Sequence, residues 1–221
     1  ELTCMISKFE QLIGLFEEID KTLNEKVNLY VIGGAVMLYH KLKVETKDID
    51  LVVDSLREFI VTEKTLKNMG FVAKLPTAEY KKVNISQMFI KGEWRIDLFQ
   101  KTVCKGFMLS EGMKERSTKV IGLKNINVFL CSTTDIFMFK TFTEREADIA
   151  DCISLARSEV NWKAMLREIN SQIQVSGNKI WITWIGERLD ILEERGLKIP
   201  IMGEINKLRE KYFSEQEKEM P

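Results

Sequence analysis

Residues 31–53 read Val31-Ile-Gly-Gly-Ala-Val-Met-Leu-Tyr-His-Lys-Leu-Lys-Val-Glu-Thr-Lys-Asp48-Ile-Asp50-Leu-Val-Val53, and this stretch decides the fold. An apolar strand over 28–32 runs into Gly33-Gly34. A short helix over about 34–43 follows, and Asp48-Ile49-Asp50 opens a second apolar strand over 48–53. Alternation along a strand puts side chains two apart on one face, roughly 6.5–7 Å from each other. Asp48 and Asp50 therefore project together while Ile49 and Leu51 pack. Two carboxylates beside a core repel each other and lose hydration, and a divalent cation relieves both penalties.

Outward from this stretch the pattern stays mixed up to about residue 131. Phe9, Leu12, Ile13, Phe16, Ile19 and Leu23 fall at helical spacing and predict an amphipathic helix over 5–24. Ser55 with Glu58 three residues on forms a capping box, and Gly70 supplies a left-handed stop, so a helix is expected over about 56–69. Short strands are expected over 71–74, 84–90, 93–99, 119–121 and 126–130, the middle pair joined as a hairpin by Lys91-Gly92 and the last pair by a Gly122–Asn125 turn. A short helix is expected over 108–116. Beyond Ser132 the pattern is only helical: one long helix over about 133–157 capped by Ser132 and Asp135, then helices over about 160–172, 179–195 and 203–214, with a fraying tail from Ser214 to Pro221. The expected architecture is α/β (α+β), a mixed sheet flanked by helices over residues 1–131, with a helical region over 132–221 packed against it.

Composition narrows the function classes. With 33 basic and 33 acidic residues the formal net charge is zero, so nothing global argues for polyanion binding and any nucleic-acid contact would need a local patch. The four cysteines have no metal-type spacing and read as free thiols of a reducing compartment. With one histidine in the chain, a zinc site is disfavoured. The chain starts Glu-Leu-Thr-Cys without an apolar run, and its most apolar late segment, 179–185, is too short to span a bilayer. The expected location is cytoplasmic, with no membrane partner.

A third carboxylate completes the pattern. Asp97 lies in Trp94-Arg95-Ile96-Asp97-Leu98-Phe99, on the face opposite Ile96 and Leu98. If this strand neighbours 48–53, Asp97 approaches Asp48 and Asp50. Three carboxylates on adjacent strands suit two divalent cations roughly 3.5–4 Å apart, and oxygen-only ligation favours Mg²⁺ or Mn²⁺. One cation would activate an attacking hydroxyl and the other would bridge triphosphate oxygens. Gly33-Gly34 lets backbone N–H groups approach a phosphate.

Gly33-Gly34, Thr46-Lys47-Asp48-Ile49-Asp50-Leu51 and Ile96-Asp97-Leu98 resemble the signature of the polymerase-beta-type nucleotidyltransferase superfamily. The nearest group is that of small prokaryotic nucleotidyltransferases, which includes abortive-infection toxins of toxin–antitoxin pairs. Thr46 stands where that group often carries a threonine. Lys140-Thr-Phe-Thr-Glu144-Arg145-Glu146-Ala147-Asp148-Ile149-Ala150-Asp151 resembles its downstream helix, with Glu146-Ala147 where a lysine before the Asp is common. The resemblance covers about residues 28–157. It implies that Asp48, Asp50 and Asp97 bind metal and form the catalytic set. It also implies that Gly33, Gly34 and Thr46 belong to the nucleotide site, that Lys140 neutralises phosphate, and that Arg145, Asp148 and Asp151 shape the pocket. The implied substrate is an NTP with Mg²⁺ or Mn²⁺, the implied acceptor a hydroxyl on RNA, protein or a small molecule, and the implied partner a cognate antitoxin or toxin.

Plainer readings stand beside these. Asp48 and Asp50 could cap a strand and pair with Lys43 or Lys47, and Gly33-Gly34 could be a simple tight turn. Lys140 with Glu144, and Arg145 with Asp148, have the spacing of ordinary helix-surface pairs, worth a few tenths of a kcal/mol. Phe137, Met138, Phe139 and Phe142 read as packing residues, as do Trp162, Trp181 and Trp184. Two functions follow: an active nucleotidyltransferase, or a nucleotidyltransferase-fold module with an idle site acting through protein contacts. A metal-dependent phosphodiesterase has no histidine support.

Overall fold

The alternation in Ile49–Val53 is resolved by a sheet with two unlike faces. The computed structural model describes residues 5–74, 87–143, 145–158 and 160–219. Cys4, the Lys81-Lys82 turn, the start of the strand expected from Asn84, Glu144 and the last two residues lie outside them. The chain divides after Ser132 into two compact units.

The first unit runs α1 (Glu10–Thr22), β1 (Val27–Ile32), α2 (Gly33–Tyr39), β2 (Ile49–Val53), α3 (Leu56–Asn68), β3 (Val72–Lys74), β4 (Gln87–Lys91), β5 (Trp94–Gln100), β6 (Thr102–Cys104), β7 (Phe107–Met108), α4 (Glu111–Arg116), β8 (Thr118–Gly122) and β9 (Ile126–Leu130). Seven strands form one mixed sheet in the order β3-β4-β5-β2-β1-β9-β8. β2 is its centre, antiparallel to β1 and parallel to β5, and β1 is parallel to β9. One face carries Leu29, Val31, Ile49, Leu51, Ile96, Leu98, Phe89 and Val128, each fully buried. The other carries Asp50 and Asp97 with Tyr30, Val52 and Phe99. Slipping β2 by one residue would drive Asp50 into the apolar layer, so the register is strongly held.

Local signals set the element ends. The Ser55–Glu58 capping box forms in both directions at the start of α3, and Gly70 takes φ +88° just past its end. The β4–β5 hairpin turns at Gly92, φ +55°. Helix α1 is shorter than its periodicity predicts, because Ile6 leaves it to form a bridge with Thr46, N–H to carbonyl in both directions at 2.8 and 2.9 Å. Helix α2 also stops early, at Tyr39. The β6–β7 hairpin was not foreseen; its strands are only three and two residues long, too short to leave a periodic signal.

The second unit is helical: α5 (Thr133–Thr141), α6 (Glu146–Ser158), α7 (Trp162–Ser176), α8 (Trp181–Glu194) and α9 (Met202–Glu219). Phe137, Met138, Phe139 and Phe142 are buried, as is Trp181, which meets Phe142 edge-on. Trp162 meets Phe137 in the same way at 5.3 Å. Two expectations are corrected. The tail does not fray at Ser214, since α9 continues to Glu219 and the Glu215 carboxylate holds Lys179 at 2.7 Å. The single helix over 133–157 is two helices, broken around Phe142 and Thr143.

The break has an electrostatic cause. Lys140 and Asp148 would lie about 12 Å apart on a straight helix, yet the Lys140 ammonium is 2.6 Å from Asp148 and 2.7 Å from Asp151. The Thr143 hydroxyl donates to Asp148 at 2.6 Å, and Arg145 Nε donates to the same carboxylate at 2.7 Å. Arg188 donates to the Thr143 carbonyl. Bending the chain lets a buried lysine meet two carboxylates, which offsets the desolvation of all three groups.

Burial alone would raise the Asp148 carboxyl, but Lys140, Thr143 and Arg145 outweigh it and hold it down to about 2, against 3.8 when unperturbed. Burial likewise works to lower Lys140, and Asp148 and Asp151 reverse this to hold the ammonium above its ordinary value. A depressed carboxyl stabilises the fold above its unfolded pKa, and that contribution disappears as pH falls through the folded value. The expected outcome is a steep loss of thermal stability between about pH 4 and pH 2. Asp148→Asn is expected to lower stability by about 2 kcal/mol at neutral pH and to flatten the acid limb, as followed by circular-dichroism melts across that range. An unchanged acid limb in the variant contradicts this account.

Candidate active site

The site is built on the β2–β5 pair. Asp50 and Asp97 are direct register partners on these parallel strands, so their side chains leave the same face from backbones about 4.8 Å apart. Asp48 precedes β2 by one residue, alongside Arg95 of β5. The three carboxylates predicted to converge are thus carried by one corner of the sheet, at the end of β2 where the chain enters it.

Gly33 and Gly34 fit beneath this corner. Ile32 pairs with Asp50 across β1 and β2, which brings Gly33 next to the Asp50 carboxylate. A Cβ on Gly33 would lie 2.1 Å from Asp50 Oδ2, and the residue takes φ +67°. Both facts call for glycine. A Cβ on Gly34 would lie 2.4 Å from Thr46 Oγ1. Thr46 is buried, and its hydroxyl donates to the Asp48 carbonyl at 3.2 Å. With the Ile6 bridge this pins the segment that delivers Asp48.

The electrostatics of the corner include a cation that was not among the expected site residues. Arg95 forks onto Asp97, Nε to Oδ1 at 3.0 Å and Nη2 to Oδ2 at 2.6 Å, and the same Nη2 is 4.0 Å from Asp48 Oδ2. Asp97 is 2% exposed, against 30% for the Asp48 side chain. Burial pushes the Asp97 carboxyl above its ordinary value, Arg95 pulls it back, and the Asp48 charge adds to the rise. The signal was present in the sequence, since Arg95 stands two residues before Asp97 and so shares its face.

Oxygen donors from Asp48 and Asp50 suit a hard divalent cation, and the missing Cβ of Gly33 lets the Asp50 carboxylate lie against the backbone there. Asp97 is turned into the Arg95 fork, and among the described residues no three acidic, histidine or cysteine side chains are grouped so as to hold a metal as they stand. Lys140, Arg145, Asp148 and Asp151 lie in the helical unit and are engaged with one another. The Lys140 ammonium is nine-tenths buried between two carboxylates, while Arg145 keeps 68% of its side chain exposed.

A family model described as "Nucleotidyltransferase of unknown function (DUF6036)" matches residues 10–180, well over half of the chain. No curated protein sequence matches. Two solved structures of ANT(2'')-Ia resemble the fold. A crystal structure in complex with adenylyl-2''-tobramycin has TM-score 0.51 and 13% identity, covering 75% of this chain and 99% of the other. A solution structure, described as that of an antibiotic-resistance factor, has TM-score 0.50 and 12% identity, covering 76% and 95%. At these identities the likeness speaks for the fold. Among the described residues no helix is long and apolar enough to cross a membrane.

Gly33→Ala combines an unfavourable φ with overlap onto Asp50. The expected loss is on the order of 1–3 kcal/mol, read from urea denaturation. Gly14→Ala is the control: a Cβ there meets nothing within 4 Å, the position is inside α1, and a gain of roughly 0.5–1 kcal/mol is expected. Equal effects at the two positions would sink the claim that Gly33 is fixed by the carboxylate beside it.

Proposed function

The chain belongs to the nucleotidyltransferase family of unknown function, DUF6036, and from that premise we propose that it transfers a nucleoside monophosphate from an NTP to a hydroxyl acceptor with Mg²⁺ or Mn²⁺. The observation that carries this reading is the register pairing of Asp50 with Asp97 directly above Gly33. Acids of this kind on one sheet corner beside a glycine-bearing bend are what a triphosphate and its counter-cations need.

Each residue has a chemical part in the proposal. Asp48, Asp50 and Asp97 would hold the divalent cation, which when bound neutralises phosphate charge and lowers the barrier to attack. Gly33 and Gly34 would present backbone N–H groups to the triphosphate at the bend, and their lack of a Cβ lets Asp50 and Thr46 close against it. Thr46 keeps the loop that carries Asp48 in place. Asp97, made more basic than a surface aspartate by burial, accepts the proton of the acceptor hydroxyl. The hydroxyl oxygen forms its bond to the α-phosphorus, the bond from that phosphorus to the bridging oxygen breaks, and pyrophosphate leaves. Catalysis of this type is positioning and electrostatics. Lys140, Asp148 and Asp151 enter as the brace of the helical unit. For Lys140 to neutralise phosphate it would have to leave two carboxylates, whereas Arg145 has exposed surface to offer an anion.

The acceptor and setting are the finer part of the proposal. RNA, protein or a small molecule each supplies a suitable hydroxyl. A toxin–antitoxin partner and a cytoplasmic location rest on the resemblance of residues 28–157 and on the free thiols Cys104, Cys131 and Cys152, all buried. The second reading, an idle module, is favoured by one observation: Asp97 is already neutralised by Arg95. Thermal shift separates the two, since an NTP with Mg²⁺ that binds the folded state raises its melting temperature by mass action.

Asp50→Ala is expected to lower nucleotidyl transfer from labelled NTP by at least about a hundredfold and to remove the Mg²⁺-dependent part of the thermal shift, with the far-UV spectrum unchanged. Full transfer by the variant refutes the active-enzyme reading. Absence of any shift with all four NTPs supports the idle module.

A further inference from the structure

We propose that Arg95 is an internal counter-cation that competes with the divalent metal for Asp97, so that occupation of the site is an exchange of a guanidinium for a metal ion. The inference rests on the metal-dependent reading above and deepens it. The geometry carries it. The fork closes on both oxygens of Asp97 at 3.0 and 2.6 Å and extends to within 4.0 Å of Asp48. The guanidinium thus spans two of the three acids proposed to receive a cation, and it meets the one that is nearly inaccessible, Asp97.

The arrangement has a physical logic. An ionised carboxylate as buried as Asp97 needs a partner at all times. When metal is absent, Arg95 supplies one from two residues away on its own strand, and the sheet corner keeps its shape. When metal arrives it must displace a bidentate, charge-assisted pair, so free metal is held weakly. The bond that Arg95 gives up is balanced by what the guanidinium can then meet, and a nucleotide triphosphate is the anion that arrives with the metal. Arg95 is thus a positioning residue for Asp97, which sets the metal affinity of the empty site.

The experiment measures Mn²⁺ binding to the nucleotide-free protein, using the electron-paramagnetic-resonance signal of free Mn²⁺ and calorimetry. Arg95→Met is expected to bind Mn²⁺ about tenfold more tightly than the natural chain. Arg95→Lys, which keeps charge but cannot fork, is expected to fall between them, and it tests the proposal if the methionine variant does not fold. In an Asp97→Asn background, exchanging Arg95 for Met should change Mn²⁺ affinity by less than twofold. Equal or weaker Mn²⁺ binding by both Arg95 variants overturns the exchange. Asp50→Asn separates this from failure of the underlying reading. If it leaves Mn²⁺ binding unchanged, no metal site exists at this corner and both fall; if it abolishes binding while the Arg95 variants have no effect, only the exchange falls.

Discussion

The in-register pairing of β2 with β5 is the constraint on which the rest of the molecule turns. It sets Ile49 against Ile96 and Leu51 against Leu98 on a face that is fully buried, and by the same alternation it sets Asp50 beside Asp97 on the other. The two consequences cannot be separated. In the observed register the alternation that buries the apolar partners also brings the two acids together, and at strand spacing their mutual repulsion is large in a partly desolvated place. A cation near that corner offsets the repulsion, and Arg95 supplies one to Asp97.

The helical unit solves a related problem in a different way. There the buried cation is Lys140, and two carboxylates come to it because the helix breaks. Four charged groups close on one another, with Thr143 and Arg188 completing the bonding around the break. The sheet corner differs in that Arg95 forks onto one acid, Asp97, and comes only within 4.0 Å of Asp48. Closed ion pairs serve as a brace, while a carboxylate as exposed as Asp48 is open to a further cation. This difference separates the two clusters more sharply than their sequence motifs do, since both were read from the sequence as parts of one nucleotide site.

Legibility followed the physics of each segment. Strong alternation made β1, β2 and β5 readable to within a residue, and the Ser55–Glu58 box fixed the start of α3, because these signals lie within a few residues of chain. The ends of α1 and α2 and the break after Thr141 depend on partners far along the chain or in the bend itself: Ile6 with Thr46, and Lys140 with Asp148. Periodicity carries no trace of them. The carboxylates were legible because acids in apolar strands are conspicuous. Arg95 was less legible, because a cation in a strand declares no partner until the burial of Asp97 is known.

The structural likeness to ANT(2'')-Ia at 12–13% identity is a likeness of fold, and the sheet explains how a fold outlasts its sequence. The placement of Gly33, Asp48, Asp50 and Asp97 follows from strand register, which backbone hydrogen bonds and an apolar face hold, so it tolerates wide change elsewhere. Past Tyr30, which stacks on Phe129 at 5.0 Å, the same face reaches Asp54 and its partner Lys114 at 2.7 Å, where the arrangement rests on side chains and not on register. Under the proposed transfer, acceptor choice would be set by side chains of that second kind.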